Sequence, residues 1–202
     1  MSIAALMPDL VSLDEFASMV LPVVHNAPED TIIGYLRDSA RDFARQTHVL
    51  QGKLYADIQA AVTEYYIDCP NEQLVISAVN AVRVDGAGLL PVIGYTYSPP
   101  SDVSLVRIPR RDIADGLEAT CSFIPSPTAS AVPRRLYDEW AEAIADGAAS
   151  RLLLMKTADW YDPQSAGIRL RRAKTAIASA KTLVARGHTT APMVAKITAR
   201  FV

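Results

Sequence analysis

The chain has two helix-compatible ends separated by a proline-rich middle. Seven of its thirteen prolines lie between Pro91 and Pro133, and a proline inside a helix removes a backbone hydrogen bond and clashes with the preceding turn. Residues 53–67 and 73–84 are rich in β-branched and aromatic side chains, which is typical of strands. A Gly-containing break at residues 85–88 predicts a hairpin. The middle of the chain is therefore expected to form an antiparallel β region over residues 53–125.

Helical periodicity and capping residues mark four helices outside this region. Ser12 begins a capping box, in which its hydroxyl accepts a hydrogen bond from the first helical turn. Asp162 followed by Pro163 predicts the start of the last helix. Gly147, which is followed by two alanines, predicts the close approach of another helix to the third one. The predicted helices are Leu13–Leu21, one that begins at Pro28, Arg134–Lys156 and Gln164–Arg186.

These patterns predict an α+β fold, in which a mainly α-helical bundle carries an inserted antiparallel β region and an extended C-terminal tail. With 202 residues, the chain is long enough for one well-packed core. We expect a single domain over residues 1–189, with the bundle formed by residues 12–50 and 133–187. Residues 190–202 are expected to form an extended C-terminal docking arm.

The charges of the chain are sorted along the sequence. Residues 163–202 contain eight basic side chains and no Asp or Glu, whereas the whole chain has 20 Lys and Arg against 22 Asp and Glu. A solvated helix face ordinarily mixes both signs, so the basic fourth helix is predicted to contact a partner. Its lack of aromatic stacking residues and of a nucleic-acid-reading motif favours an acidic protein surface over a polyanion. The subunit-contact candidates on this helix are Arg169, Arg172, Lys174 and Lys181.

The second helix carries a stripe of arginines at four-residue spacing. Arg37, Arg41 and Arg45 form the stripe, and Asp38 and Asp42 can neutralise Arg41 and Arg45 locally. A solvated face is the favoured interpretation. A partner contact through Arg37 and Arg41 is the alternative.

The end of the chain alternates strictly between apolar and other residues. A period of two is typical of an extended strand. This segment has no hairpin partner next to it in the sequence, so it must pair with the central sheet or with another chain. Frayed termini rarely keep such alternation, so we expect the tail to become ordered on another protein by strand addition. The docking candidates in the tail are Met193, Lys196, Ile197, Arg200 and Phe201.

No motif for catalysis is recognisable in the sequence. Nucleophile-elbow, zinc-protease and phosphate-loop patterns are missing, and His25, His48 and His188 lie in separate regions without a carboxylate cluster. We expect no enzyme, no metal and no cofactor. Cys69 and Cys121 are interpreted as free thiols. Signals for secretion or membrane insertion are not recognisable, so no membrane partner is expected.

The order of these segments resembles that of the head-to-tail connector, or adaptor, proteins of tailed bacteriophages. The resemblance covers nearly the whole chain from Pro28 onward. The segments that carry it are RDSARDFARQTHV (37–49), TEYYIDCP (63–70), VISAVNAVRVDG (75–86), VPRRLYDEWAEAIADGAASRLLLM (132–155) and DPQSAGIRLRRAKTAIASAKTLVARG (162–187).

The resemblance implies a structural virion protein at the neck, made in the bacterial host cytoplasm. It implies a ring of identical subunits, usually twelve, that docks on the portal protein and provides a platform for a downstream neck or tail protein. Viral DNA would pass through the lumen without sequence-specific binding. Thr190–Val202 would be the portal-docking arm, the two long C-terminal helices would form the ring contacts, and the β region would project towards the tail.

Two other functions stay open at this point. The chain could be a neck stopper or tail-completion protein, which shares the structural class but docks on an adaptor. A more distant alternative is a nucleic-acid-binding module that uses the basic helix at residues 164–186.

Overall fold

The computed structural model describes residues 9–57, 63–67, 69, 71–84, 87–89, 96–98, 104–108 and 116–187. The architecture is α+β, as predicted, with antiparallel strands inserted between helices. In chain order the elements are β1 (Leu10–Ser12), α1 (Leu13–Val20), α2 (Glu29–Thr47), β2 (Gln51–Asp57), β3 (Glu64–Ile67), β4 (Leu74–Val84), β5 (Ala87–Leu89), β6 (Thr96–Ser98), β7 (Ser104–Arg107), β8 (Gly116–Pro125), β9 (Ala131–Pro133), α3 (Arg134–Leu152) and α4 (Pro163–Ala185).

The predicted caps begin α1 and α4. The Ser12 hydroxyl accepts a hydrogen bond from the backbone N–H of Asp14 at 3.2 Å. At α4, the Asp162 carboxylate accepts from the backbone N–H groups of Gln164 and Ser165, both at 3.0 Å. These bonds satisfy donors that the first turn of a helix otherwise leaves without partners. They also lower the pKa of the Asp162 carboxyl, with the bonds from Ser165 as the main cause.

The pair α2 and α3 forms the centre of the helical bundle. The two helices are antiparallel, since Ser39 contacts the α3 segment around Ile144 while Phe43 stacks on Trp140, one turn earlier in α3. The Ser39 hydroxyl donates a hydrogen bond to the Ile144 carbonyl at 2.7 Å. The prediction of a close helix approach at Gly147 is confirmed by its contact with Ser39.

The helices α1 and α4 pack separately on this central pair. Each of them packs on both α2 and α3, yet they share no packed interface with one another. A helix that contacts both members of a pair lies in one of the two grooves between them. On α3, Tyr137 contacts Phe16 of α1 and Asp146 contacts Arg169 of α4. These two positions are about two and a half turns apart, so α1 and α4 lie on opposite sides of α3.

The third helix ends at Leu152, so the predicted end at Lys156 is wrong. The backbone continues in tight turns, in which Met155 N–H donates to the Leu152 carbonyl. That carbonyl also accepts from the Trp160 indole N–H at 3.1 Å, and the Asp162 N–H donates to the Leu153 carbonyl at 3.0 Å. The terminal carbonyls of α3 therefore find partners in the connection to α4, which satisfies groups that a helix end leaves open.

The β region forms two sheets. In the four-stranded sheet the order is β2-β8-β4-β5, and in the three-stranded sheet it is β3-β7-β6, with antiparallel pairing throughout. Val84 pairs with Ala87, which confirms the predicted hairpin between β4 and β5. On β8, Glu118 forms an ion pair with Lys53 of β2 at 3.0 Å. The hydrogen bond from Lys53 is the main cause of the lowered pKa of the Glu118 carboxyl.

A short ladder between β1 and β9 joins the start of the described chain to the start of α3. Leu10 pairs with Pro133 and Ser12 with Ala131, so α1 and α3 both begin directly after this ladder. The helices and the four-stranded sheet share one hydrophobic core, to which Phe16, Leu36, Leu117 and Ile144 contribute fully buried side chains.

Candidate functional site

Four exposed cations cover the outer surface of α4, and we call Arg171, Arg172, Lys174 and Lys181 the basic face. None of their side chains forms an ion pair or a hydrogen bond with another residue in the described ranges. Several cations elsewhere in the described part of the fold are paired with nearby acids. The paired cations are Arg45 with Asp42, Lys53 with Glu118, Arg134 with Asp9, Arg135 with Glu139 and Arg151 with Asp42.

The buried side of α4 consists of small residues. Spacings that alternate between four and three residues predict a narrow seam for a partner helix, formed by Ala166, Leu170, Ala173, Ile177, Ala180 and Val184. The burial of Ala166, Ala173 and Ala180 confirms the centre of this seam. The expected place of Leu170 in this seam is wrong, because 41% of its surface is exposed. Ile168 is equally exposed. The basic face therefore carries apolar side chains between its cations.

Arg169 lies in the interface between α3 and α4, not on the outer surface where the helical spacing predicts it. Its guanidinium contacts the Asp146 carboxylate at 2.5 Å, and the two side chains are 25% and 13% exposed. This ion pair joins α4 to α3 beside the buried alanines. This predicted subunit-contact residue thus has its partner within the same chain.

Arg37 and Arg41 also have partners within the chain. The Nε of Arg37 donates to the Ala129 carbonyl at 2.6 Å, and the Nε of Arg41 donates to the Pro125 carbonyl at 3.1 Å. Both bonds hold the connection between β8 and β9 against α2. The guanidinium groups therefore fix the β region on the bundle, which the sequence spacing alone did not indicate.

An open groove of about 700 Å³ runs between α3 and α4. Trp140, Glu142 and Ala143 line it from α3, and Ile168, Arg171 and Arg172 line it from α4. The two arginines of the basic face thus stand beside apolar side chains and beside two acids, Glu142 and Asp146, of which Asp146 is paired with Arg169. Such a combination of apolar centre and arginine rim is typical of protein–protein contacts.

Exposed acids are concentrated in the first two helices. The first 36 residues contain five acids and no Lys or Arg, and Asp14, Glu15, Glu29 and Asp30 are exposed on α1 and the first turn of α2. We call these four residues the acidic face. The sequence signal for the acidic face is the absence of Lys and Arg from residues 1–36, just as the absence of Asp and Glu marks residues 163–202.

The tail candidates Met193, Lys196, Ile197, Arg200 and Phe201 lie outside the described residues. The prediction of a docking arm at residues 190–202 therefore stays a prediction.

The two cysteines are free thiols in the structure. Burial, with a smaller contribution from Cys69, raises the pKa of Cys121 to about 12, and burial also raises the pKa of Cys69. Both thiols are therefore protonated near neutral pH, where a nucleophile needs the thiolate. In the part of the chain that the structure describes, no group of three or more His, Cys, Asp or Glu side chains could hold a metal ion.

No protein-family model matches the chain, and a comparison with curated proteins gave no match. Among the described residues, no helix is both long and apolar enough to cross a membrane.

Proposed function

We propose that this protein is a head-to-tail adaptor of a tailed bacteriophage. In this role it is a structural protein without catalysis, and identical subunits, twelve in the resembling family, form a ring on the portal protein. The ring provides a platform for a downstream neck or tail protein, and viral DNA passes through its lumen.

The observation that carries the proposal is the unpaired basic face of α4. This helix face has four cations, no acids and two exposed apolar side chains, whereas an ordinary solvated helix face mixes both signs of charge. Contact with another protein buries Ile168 and Leu170 and supplies acids to the cations. An assembly subunit needs such a surface.

The α+β architecture supports the same function. The β region is inserted between α2 and α3 and is fixed to the bundle by Arg37 and Arg41. A rigid connection of this kind suits a subunit whose bundle contacts its neighbours while its β region receives the next protein. A stopper or tail-completion protein needs the same kind of surfaces but docks on an adaptor. Direct binding to the portal therefore distinguishes the adaptor from these two roles.

Binding of nucleic acid is the second candidate, and the five cations that α4 carries in all are the observation that favours it. Phosphate binding through such cations weakens steeply as salt rises. The exposed Ile168 and Leu170 lie among these cations, however, and an apolar surface gains nothing from a phosphate backbone. We therefore rank protein docking first.

Electron microscopy of the purified protein mixed with the portal of the same virus tests the proposal. We expect a ring seated on the portal. The matched control lacks Ala191–Val202 and should remain folded by circular dichroism without joining the portal. Failure of the full chain to associate with the portal, together with tight binding of duplex DNA near physiological salt, would contradict the adaptor role.

A further inference from the structure

We infer that the corner between α1 and α2 of one copy docks in the groove between α3 and α4 of a second copy. The contact would pair the acidic face of one subunit with the basic face of the next. The inference rests on the proposed function for the closure of such contacts into a ring, but the contact itself can be tested without a portal.

Charge complementarity identifies the occupant of the groove. Glu29 and Asp30 are exposed in the first turn of α2, and neither forms an ion pair within the described part of the chain. Arg171 and Arg172 line the groove and are equally without acidic partners there. Unlike charges across an interface fix its orientation and suppress the wrong pairings. A second copy of this chain supplies the missing acids.

Apolar side chains lie beside the charges on both surfaces. Leu21 follows α1 and is 44% exposed, and Ile168 faces the groove with 41% of its surface exposed. Burial of the two together gives the contact an apolar centre inside a charged rim, which is the usual anatomy of a protein interface. A phosphate backbone would leave both side chains in water.

The positions of the two faces favour a head-to-tail contact. Because α1 and α4 lie on opposite sides of α3, Asp14 and Glu15 are turned away from the basic face of their own subunit. Glu29 and Asp30 on α2 form no ion pair with that face in the described part of the chain. Two copies that met through the same patch would place like charges opposite one another. Different patches on opposite sides give a heterologous contact, which repeats from copy to copy and closes when the rotation permits.

Two charge-reversal variants of the full chain test the contact. The first carries Arg171→Glu and Arg172→Glu, so that both of its faces are acidic. The second carries Glu29→Arg and Asp30→Arg, so that both of its faces are basic. Glu72→Arg and Lys156→Glu reverse exposed charges outside the two faces and serve as controls. Circular dichroism establishes that every variant is folded.

Self-association is measured by sedimentation at high protein concentration and low salt. We expect the wild type and the controls to associate, and each variant alone to associate at least about tenfold more weakly because like charges oppose one another. An equimolar mixture of the two variants should regain association, since each reversed face then meets its complement. Wild-type protein that stays monomeric, or a mixture that stays as weak as its components, overturns the inference.

Cross-linking locates the contact directly. A photoreactive residue at position 168 should link to peptides from residues 13–36 of a second copy, which isotope-labelled protein distinguishes from links within one chain. Links confined to other surfaces overturn the inference even where the protein joins the portal. Conversely, if the expected links form but the protein does not bind the portal, the contact between copies is supported and the adaptor role is refuted. Binding of DNA is also measured for both variants. If the first variant loses it, the second keeps it, and the mixture does not regain self-association, the groove would be assigned to nucleic acid.

Discussion

The hydroxyl oxygen of Ser39 lies 2.3 Å from the position that a Cβ atom on residue 147 would take. Only glycine at 147 lets α2 and α3 approach this closely while Ser39 keeps its hydrogen bond to the Ile144 carbonyl. The serine and the glycine therefore determine the spacing of the central helix pair, and the helices α1 and α4 pack against the surfaces that this pair forms.

Gly147→Ala should destabilise the protein by about 1–3 kcal/mol, which is typical of overpacking in a core. The added Cβ displaces the Ser39 hydroxyl, whereas Ser39 Cβ itself is 3.6 Å away and tolerates the methyl group. The double variant with Ser39→Ala should therefore be at least as stable as Ser39→Ala alone. Gly34→Ala is the control, because the Cβ atom that alanine adds at this position would have no other atom within 4 Å. Alanine should stabilise that helix by up to about 1 kcal/mol. Urea unfolding measures all four variants.

Arg169→Ala should lower the free energy of unfolding by about 2 kcal/mol, because it leaves the Asp146 carboxylate largely buried without its partner. Arg171→Ala removes a cation of the same helix that has no partner in the described residues, and its effect should stay within about 0.5 kcal/mol. Chemical denaturation of the two variants compares them. Equal losses would contradict the distinction between a structural and a docking arginine.

Arg37→Ala should destabilise the fold by about 1.5–3 kcal/mol, the usual value of a hydrogen bond to a charged group. The loss should appear first in the connection between β8 and β9, where Ala129 accepts the bond, and amide hydrogen exchange of residues 126–130 should detect it. Arg45→Ala provides the comparison on the same helix. Its side chain makes only an exposed pair with Asp42, so fast exchange at residues 126–130 in this variant would refute the assignment.

The cap of α4 should make the protein sensitive to acid. Hydrogen bonds from Ser165 and Gln164 lower the pKa of Asp162 in the folded state, so the carboxylate stabilises the fold above its ordinary pKa near 4. This contribution is lost as the pH falls through the lowered pKa of the folded state. Asp162→Asn keeps a capping side chain that does not titrate. Its melting temperature should therefore fall less than that of the wild type between pH 5 and about pH 2, and parallel curves would contradict the prediction.

The helices could be predicted from the sequence because their signals are local. Ser12 and Asp162 act on backbone groups two or three residues away, and the alanines of α4 repeat along one element. The end of α3 could not be predicted, since it depends on Trp160 and Asp162 folding back on Leu152 and Leu153. The ladder between β1 and β9 could not be predicted either, because strands of three residues are too short to show a period.

The candidate site could be predicted in part. Charge counting predicts the basic face, but it cannot identify the long-range partners of Arg37 and Arg169. Asp146 is 23 residues from Arg169, and Ala129 is 92 residues from Arg37, so no spacing rule connects them. The acidic face was present in the sequence as a stretch of 36 residues without Lys or Arg. Its importance became visible only when α1 and α4 were found on opposite sides of α3.

The separation of charge between the first and the last helices should also give the isolated subunit an electric dipole moment. Residues 9–36 contain five acids and no Lys or Arg, and residues 163–187 contain six Lys and Arg and no acids. Two such dipoles attract when they align in series and repel when they lie side by side in the same sense. Subunits that diffuse towards one another should therefore rotate until their dipoles lie in series before their surfaces touch. Because salt screens this long-range attraction, it should slow the association of two subunits more than it shortens the lifetime of the completed contact.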